Sequence, residues 1–247
     1  MNYVNKLVKS FINSPLTIDR FNELLEISDT FFDNVELERE LLISNGLPLY
    51  FCEDFVTLKT TTTKLEDQSF CIVDIETNAG SVKKGQIIEI GALKFKNGQI
   101  IEKYESLVNT FEIPQKVQEL TGITPDMTHD APDIQTVLEE FKIFLEDDIF
   151  VAHDINFDYK FISDSLKKYD LGQLSNRRIC TINLSKKLID VERYGLKYLK
   201  EYLEIENQEH HRAFSDAYCT TIILQKCLEK LPKKIQNGEE LIAFSIS

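Results

Sequence analysis

Positive charge is scarce in this chain. Its 247 residues hold 28 Lys and Arg against 41 Asp and Glu, a formal net charge of −13 at pH 7. A protein that coats nucleic acid or anionic membrane by bulk attraction needs a basic surface, so that class is excluded. An enzyme that meets nucleic acid locally, or through metal ions, is not. The five cysteines (Cys52, Cys71, Cys180, Cys219, Cys227) are odd in number and scattered, with no C-x-x-C pair. Neither a disulfide framework nor a zinc site follows, and a reducing, cytoplasmic setting is expected. Long apolar runs are missing as well. Nothing approaches the roughly 18 residues that a membrane helix requires, and residues 1–21 lack the apolar core of a secretory signal. No membrane partner is expected. A Walker-type phosphate loop is also absent.

What is present is the composition of an ordinary globular protein, 43% hydrophobic, with chain enough for one large domain or two small ones. The patch Thr60-Thr61-Thr62-Thr63-Lys64 marks a candidate boundary, dividing residues 1–64 from 65–247. In the first part, Thr17 caps a helix through Leu25, and a second helix spans Val35 to Ile43 before Asn45-Gly46. Pro48–Phe51 and Phe55–Leu58 then read as a hairpin. Helices followed by a hairpin suggest a small α+β, winged-helix-like module. Six basic residues against ten acidic ones favour packing or protein docking over DNA binding. Phe11, Phe21, Phe31 and Phe32 read as the core of such a module sooner than as a partner patch.

Downstream, Phe70–Val73 is a short buried strand, and Ile87–Phe95 turns at Asn97-Gly98 into Gln99–Val108. A helix from Pro132 to Leu145, with Asp130 as its cap, precedes the strand Ile149–Ala152 and a helix from Phe157 to Lys168. A strand around Cys180 and helices near Leu184–Ile189, Leu196–Leu203 and Arg212–Lys230 follow. Hairpin strands giving way to alternating strands and helices predict an α/β fold, a mixed five-stranded sheet with flanking helices. The tail Glu239–Phe244 has the apolar residues of a clamp-binding motif without its glutamine.

Four acids stand at the ends of buried elements. Asp74 and Glu76 follow the first apolar strand, and their i, i+2 spacing puts both on one face of an extended chain. Asp158 opens a helix after a buried strand, and Asp216 lies one turn into a helix. Any one alone reads best as a cap or a solvated end. Together, four carboxylates in one place repel one another unless cations neutralise them. Oxygen donors suit Mg²⁺ or Mn²⁺, and paired divalent ions are a standard device for phosphodiester cleavage. His211, five residues before Asp216, is placed to take a proton from water near neutral pH.

Asp74-Ile75-Glu76-Thr77, His153-Asp154-Ile155-Asn156-Phe157-Asp158 and His211-Arg212-Ala213-Phe214-Ser215-Asp216 resemble the three motifs of the DEDDh, or DnaQ-like, 3′–5′ exonucleases. That family includes the proofreading epsilon subunit of bacterial DNA polymerase III, ribonuclease T and oligoribonuclease. Gly85–Ala92 and Leu120–Thr124 add matches, so the resemblance runs from about Phe70 to Leu231. It implies a ribonuclease-H-like fold and two-metal hydrolysis of DNA from the 3′ end, with Asp74, Glu76, Asp158 and Asp216 as ligands of two Mg²⁺ or Mn²⁺ ions. His211 is the implied general base, and Arg212, where a tyrosine branch would carry Tyr, assigns the chain to the histidine branch. Ile75, Thr77 and Thr121 match positions that hold the terminal nucleotide; His153 and Phe157 line the site or, for His153, serve structure alone. Two departures fall near the substrate: Thr77-Asn78-Ala79-Gly80 is one residue longer than the usual Thr-Thr-Gly, and Asp154 replaces Asn. The implied partners are a nucleic-acid 3′ end and a DNA polymerase subunit. RNA trimming by the same chemistry, a non-catalytic docking subunit, and a winged-helix regulator built on residues 1–64 are the competing readings.

Overall fold

The structure, a computed structural model, describes residues 2–12, 14–26, 34–206 and 211–246; Phe31, Phe32 and His210 lie outside them. The N-terminal part runs α1 (Asn2–Phe11), β1 (Leu16–Thr17), α2 (Ile18–Glu26), α3 (Val35–Ser44), β2 (Leu49–Cys52) and β3 (Phe55–Leu58). Thr17 caps α2 as expected, its hydroxyl accepting from the Arg20 amide at 3.2 Å. The three strands form an antiparallel sheet in the order β1-β3-β2, so the expected helices and hairpin are present in residues 1–64. Phe11 and Phe21 pack at a tilt with centroids 5.8 Å apart in a core with Leu25, Leu42, Leu47, Val56 and Leu58. Both rings are fully buried, which removes them from any partner patch. The helix α1 has no counterpart in the sequence reading, although Leu7, Val8 and Phe11 bury at helical spacing.

The threonine patch forms a short helix, α4 (Lys59–Thr62). Thr60 is buried and donates to Glu239 Oε1 at 2.8 Å. The patch is therefore a packed joint between the two parts of the chain.

The larger part runs β4 (Phe70–Thr77), β5 (Ile87–Lys96), β6 (Gln99–Leu107), α5 (Gln115–Thr121), α6 (Pro125–Thr128), α7 (Ile134–Leu145), β7 (Ile149–Ala152), α8 (Ile155–Lys168), β8 (Arg178–Cys180), α9 (Thr181–Leu188), α10 (Leu196–Tyr202), α11 (Ala213–Glu229) and α12 (Gly238–Ile246). The five strands lie in the order β6-β5-β4-β7-β8, antiparallel on the β6 side of β4 and parallel on the β8 side. This is the mixed five-stranded sheet that the sequence predicts. Residues of β4 alternate between two cores. Cys71, Val73 and Ile75 pack with α7 and α8, whereas Phe70 and Ile72 pack with Ala217, Ile223 and Leu224 of α11.

Three local expectations change. β4 continues to Thr77, so Asp74 and Glu76 sit on the strand and not after it. The cap of α7 is Asp133, whose carboxylate accepts from the Gln135 and Thr136 amides, and neither Asp130 nor Pro132 has that place. Leu120-Thr121 closes the short helix α5 ahead of Gly122, whose positive φ of 71° supplies a left-handed stop. The tail is also not a free motif: Leu241 and Ile242 of α12 are buried in the core around α9 and α11. No helix among the described residues is long and apolar enough to cross a membrane.

Candidate active site

Strand register builds the first half of the site. β4 and β5 pair with Asp74 opposite Gly91 and Glu76 opposite Glu89. Opposed residues share a face of the sheet, so these four positions all meet α11. A Cβ on Gly91 would lie 2.2 Å from the Phe214 backbone nitrogen. The bare glycine is thus what lets the first turn of α11 lie directly on the strands. That turn carries Asp216 over the Asp74–Glu76 edge.

The second half comes from the opposite face. Asp158, in the first turn of α8, is 5% exposed, and its Oδ1 accepts from the Ile75 amide at 3.2 Å. α8 and α11 therefore close on the end of β4 from its two sides. His211 precedes α11 with φ of 57°, a left-handed conformation that histidine tolerates better than most residues. From there its ring joins Glu76 and Asp216, with one ligand atom of each within 4.8 Å of the others.

The electrostatics follow from this convergence. Burial first, then the carboxylates of Asp158, Asp216, Glu76 and Glu89, hold the Asp74 carboxyl well above its ordinary range. Burial and then Asp216 push Glu76 up to about 8, opposed by the nearby Arg212. Asp158 is also raised, mainly by burial, and the Ile75 amide works against that shift. Carboxylates placed so that each resists ionisation form a ready receptor for divalent cations. The donors are hard oxygens with one imidazole, a set that fits Mg²⁺ or Mn²⁺.

The other site candidates divide into two groups. Thr77 is half-buried and Phe157 exposed, its ring 5.8 Å from Phe161. Ile75, Thr121 and His153 are buried, with polar groups bonded inside the protein. The Ile75 amide serves Asp158. The Thr121 hydroxyl donates to the Val117 carbonyl at 2.8 Å and accepts from the Ile123 amide at 3.1 Å. His153 pairs Nδ1 with Thr181 at 2.9 Å and Nε2 with the Tyr194 carbonyl at 2.8 Å. Burial lowers its pKa, and the neutral ring must then donate from Nε2.

Sequence reasoning gave no role to Glu89. It is fully buried, and Arg212 forks onto it, Nη2 to Oε1 at 2.6 Å and Nε to Oε1 at 2.9 Å. Glu89 Oε2 also accepts from the Ala213 amide at 2.8 Å. The available signal was a charge inside the apolar run Ile87-Ile88-Glu89-Ile90.

A model of an exonuclease family described as RNase_T matches residues 71–224. The PolC-type DNA polymerase III of Oceanobacillus iheyensis is 34% identical over 203 residues, 81% of this chain but 14% of that protein. The chain thus spans about a seventh of its relative's length. Among solved structures, Exonuclease X in complex with 5′ overhanging duplex DNA superposes with a TM-score of 0.57 at 24% identity, covering 71% of this chain and 99% of that one. The nuclease domain of 3′hExo, a DEDDh family member bound to rAMP, gives 0.59 at 16% identity, covering 68% and 94%. At these identities the structures establish a shared fold. That family uses divalent metal ions. The matched region, the ribonuclease-H-like sheet and the motif order agree, and the chain belongs to the DEDDh-type, DnaQ-like 3′–5′ exonuclease family.

Proposed function

We propose that this chain hydrolyses phosphodiester bonds at DNA 3′ ends, releasing nucleoside 5′-monophosphates in polymerase proofreading. The observation that carries this reading is the meeting of Asp74, Glu76, Asp158, Asp216 and His211 at one end of β4. Asp74, Glu76, Asp158 and Asp216 would hold two Mg²⁺ or Mn²⁺ ions. Bound there, such ions supply an acidified water and neutralise charge on the scissile phosphate. His211 takes the water proton on the ring nitrogen turned toward Glu76 and Asp216. Thr77, half-buried, and Phe157, exposed, contact the terminal nucleotide. The free cysteines fit action in the cytoplasm.

Residues 1–64 form a separate packing or docking module in this reading. In a DNA-binding winged helix, α3 would enter the groove, and here it carries Glu36, Glu38 and Glu40 against Arg39 alone. The chain's acidity implies weak hold on a polyanion, so it grips only a 3′ terminus and depends on a polymerase partner for residence time. The test is release of monophosphates from matched DNA and RNA oligomers, labelled at either end, with Mg²⁺ or Mn²⁺, beside Asp74→Ala and His211→Ala. Metal-dependent release from the DNA 3′ end, lost in both variants, is the expected result. A large preference for RNA overturns proofreading, and equal inactivity of all three proteins overturns the enzyme.

A further inference from the structure

We infer that Glu89 and Arg212 are positioning residues: their buried, forked ion pair seats the first turn of α11 and so sets His211 and Asp216 against Glu76. The inference rests on the exonuclease reading of the site but adds residues that contribute no ligand to it. Register supplies the first argument. Glu89 lies directly opposite Glu76, and Gly91 directly opposite Asp74, on the face that α11 covers. The seat of the helix and the acids it serves are therefore neighbouring rungs of one ladder, and a shift of the seat moves Asp216 against Glu76.

The bonding supplies the second. One carboxylate with no solvent exposure takes two nitrogens, Nε and Nη2, of a planar guanidinium and the first amide of α11. Forked pairs fix direction as well as distance, which a lysine ammonium does not. The residue so clamped is flanked by His211 in a left-handed turn and by Ala213, whose backbone lies so close to Gly91 that an added Cβ there would come within 2.3 Å of its carbonyl carbon. Arg212 thus fixes the chain on both sides of itself: His211 before it, and Asp216 four residues after. Its positive charge also lies beside Glu76, close to the cluster's carboxylates.

The test compares Arg212→Ala, Arg212→Lys and Glu89→Gln with wild type in the 247-residue chain. Three readouts are needed: Mn²⁺ affinity by isothermal titration calorimetry, kcat and KM for a short DNA oligomer, and Tm. Misplacement of reacting groups by about 1 Å lowers rates by roughly a hundredfold. Arg212→Ala should therefore lose about that factor in kcat with KM within about threefold, and bind Mn²⁺ about tenfold more weakly. Arg212→Lys should recover the charge without the fork and keep most of the kcat loss. Glu89→Gln, close in shape, keeps an acceptor for the Ala213 amide and should fall between them. Wild-type Mn²⁺ affinity and kcat in a folded Arg212→Ala overturn the inference, as does full rescue by lysine. A wild type that releases nothing from any oligomer refutes the functional reading instead, and the Mn²⁺ titrations still judge the ion pair.

Discussion

The two ends of the central sheet bury carboxylates in different ways. At the C-terminal end of β4, Asp74, Glu76 and Asp158 crowd together, and each is driven toward its neutral form. At the other end the buried acids Glu239 and Asp148 each have a cation within reach, although burial still pushes Asp148 up to about 6. Glu239 of α12 receives Arg177 Nε at 2.6 Å and Nη2 at 2.8 Å, together with the Thr60 hydroxyl. Nearby, Lys94 reaches Glu146 at 2.7 Å and Asp148 at 3.9 Å. One end gathers acids that resist ionisation, and the other pairs Glu239 with Arg177 while the Thr60 hydroxyl ties residues 1–64 to the same carboxylate. An acid cluster that lowers the stability of the metal-free chain is the mark of a site shaped for something it binds.

That contrast can be broken at either end. The largest effect is expected from Asp158→Asn, which keeps an acceptor for the Ile75 amide and removes a charge. Activity should fall on the order of a thousandfold, the several kcal/mol that charge stabilisation by bound metal supplies, while the metal-free protein melts higher at pH 8 than wild type. The sign follows from linkage. Carboxyls whose folded pKa is raised bind more protons folded than unfolded, so wild-type stability without metal falls as pH rises from about 4 to about 8. Mg²⁺ or Mn²⁺ should remove most of that slope in a calorimetric series, and a flat metal-free profile would count against the cluster. At the paired end, Arg177→Ala leaves Glu239 buried without its guanidinium and should cost about 3–5 kcal/mol by denaturant titration. Activity per folded molecule should hold there, because the pair lies far from the acids in the fold. The smallest effect is expected from Lys59→Ala. Its pair with Asp147 spans the junction but is 49% and 29% exposed, which places its contribution at about 0–1 kcal/mol.

Much of the site was legible in the chain. Strand parity alone put Asp74 and Glu76 on one face, and helical order put Asp158 and Asp216 near element starts. The paired end was not legible. Glu239 read as part of a tail and Thr60 as part of a low-complexity patch, because the partners that bury them lie 179 residues apart. Gln115–Thr121 and Pro125–Thr128 have no counterpart in the sequence reading, because helices this short carry little periodicity.

The sequence by itself therefore determined the sheet, the reaction class that its family implies, and which side chains carry the charge. Those depend on local periodicity and on residue chemistry, both of which are written along the chain. Only the tertiary structure decided that Glu89 faces Glu76 across the ladder, that Arg212 returns 123 residues later to hold it, and that α12 closes the far end. Such pairings are set by register and packing between distant segments, where a single strand or helix has no preference of its own.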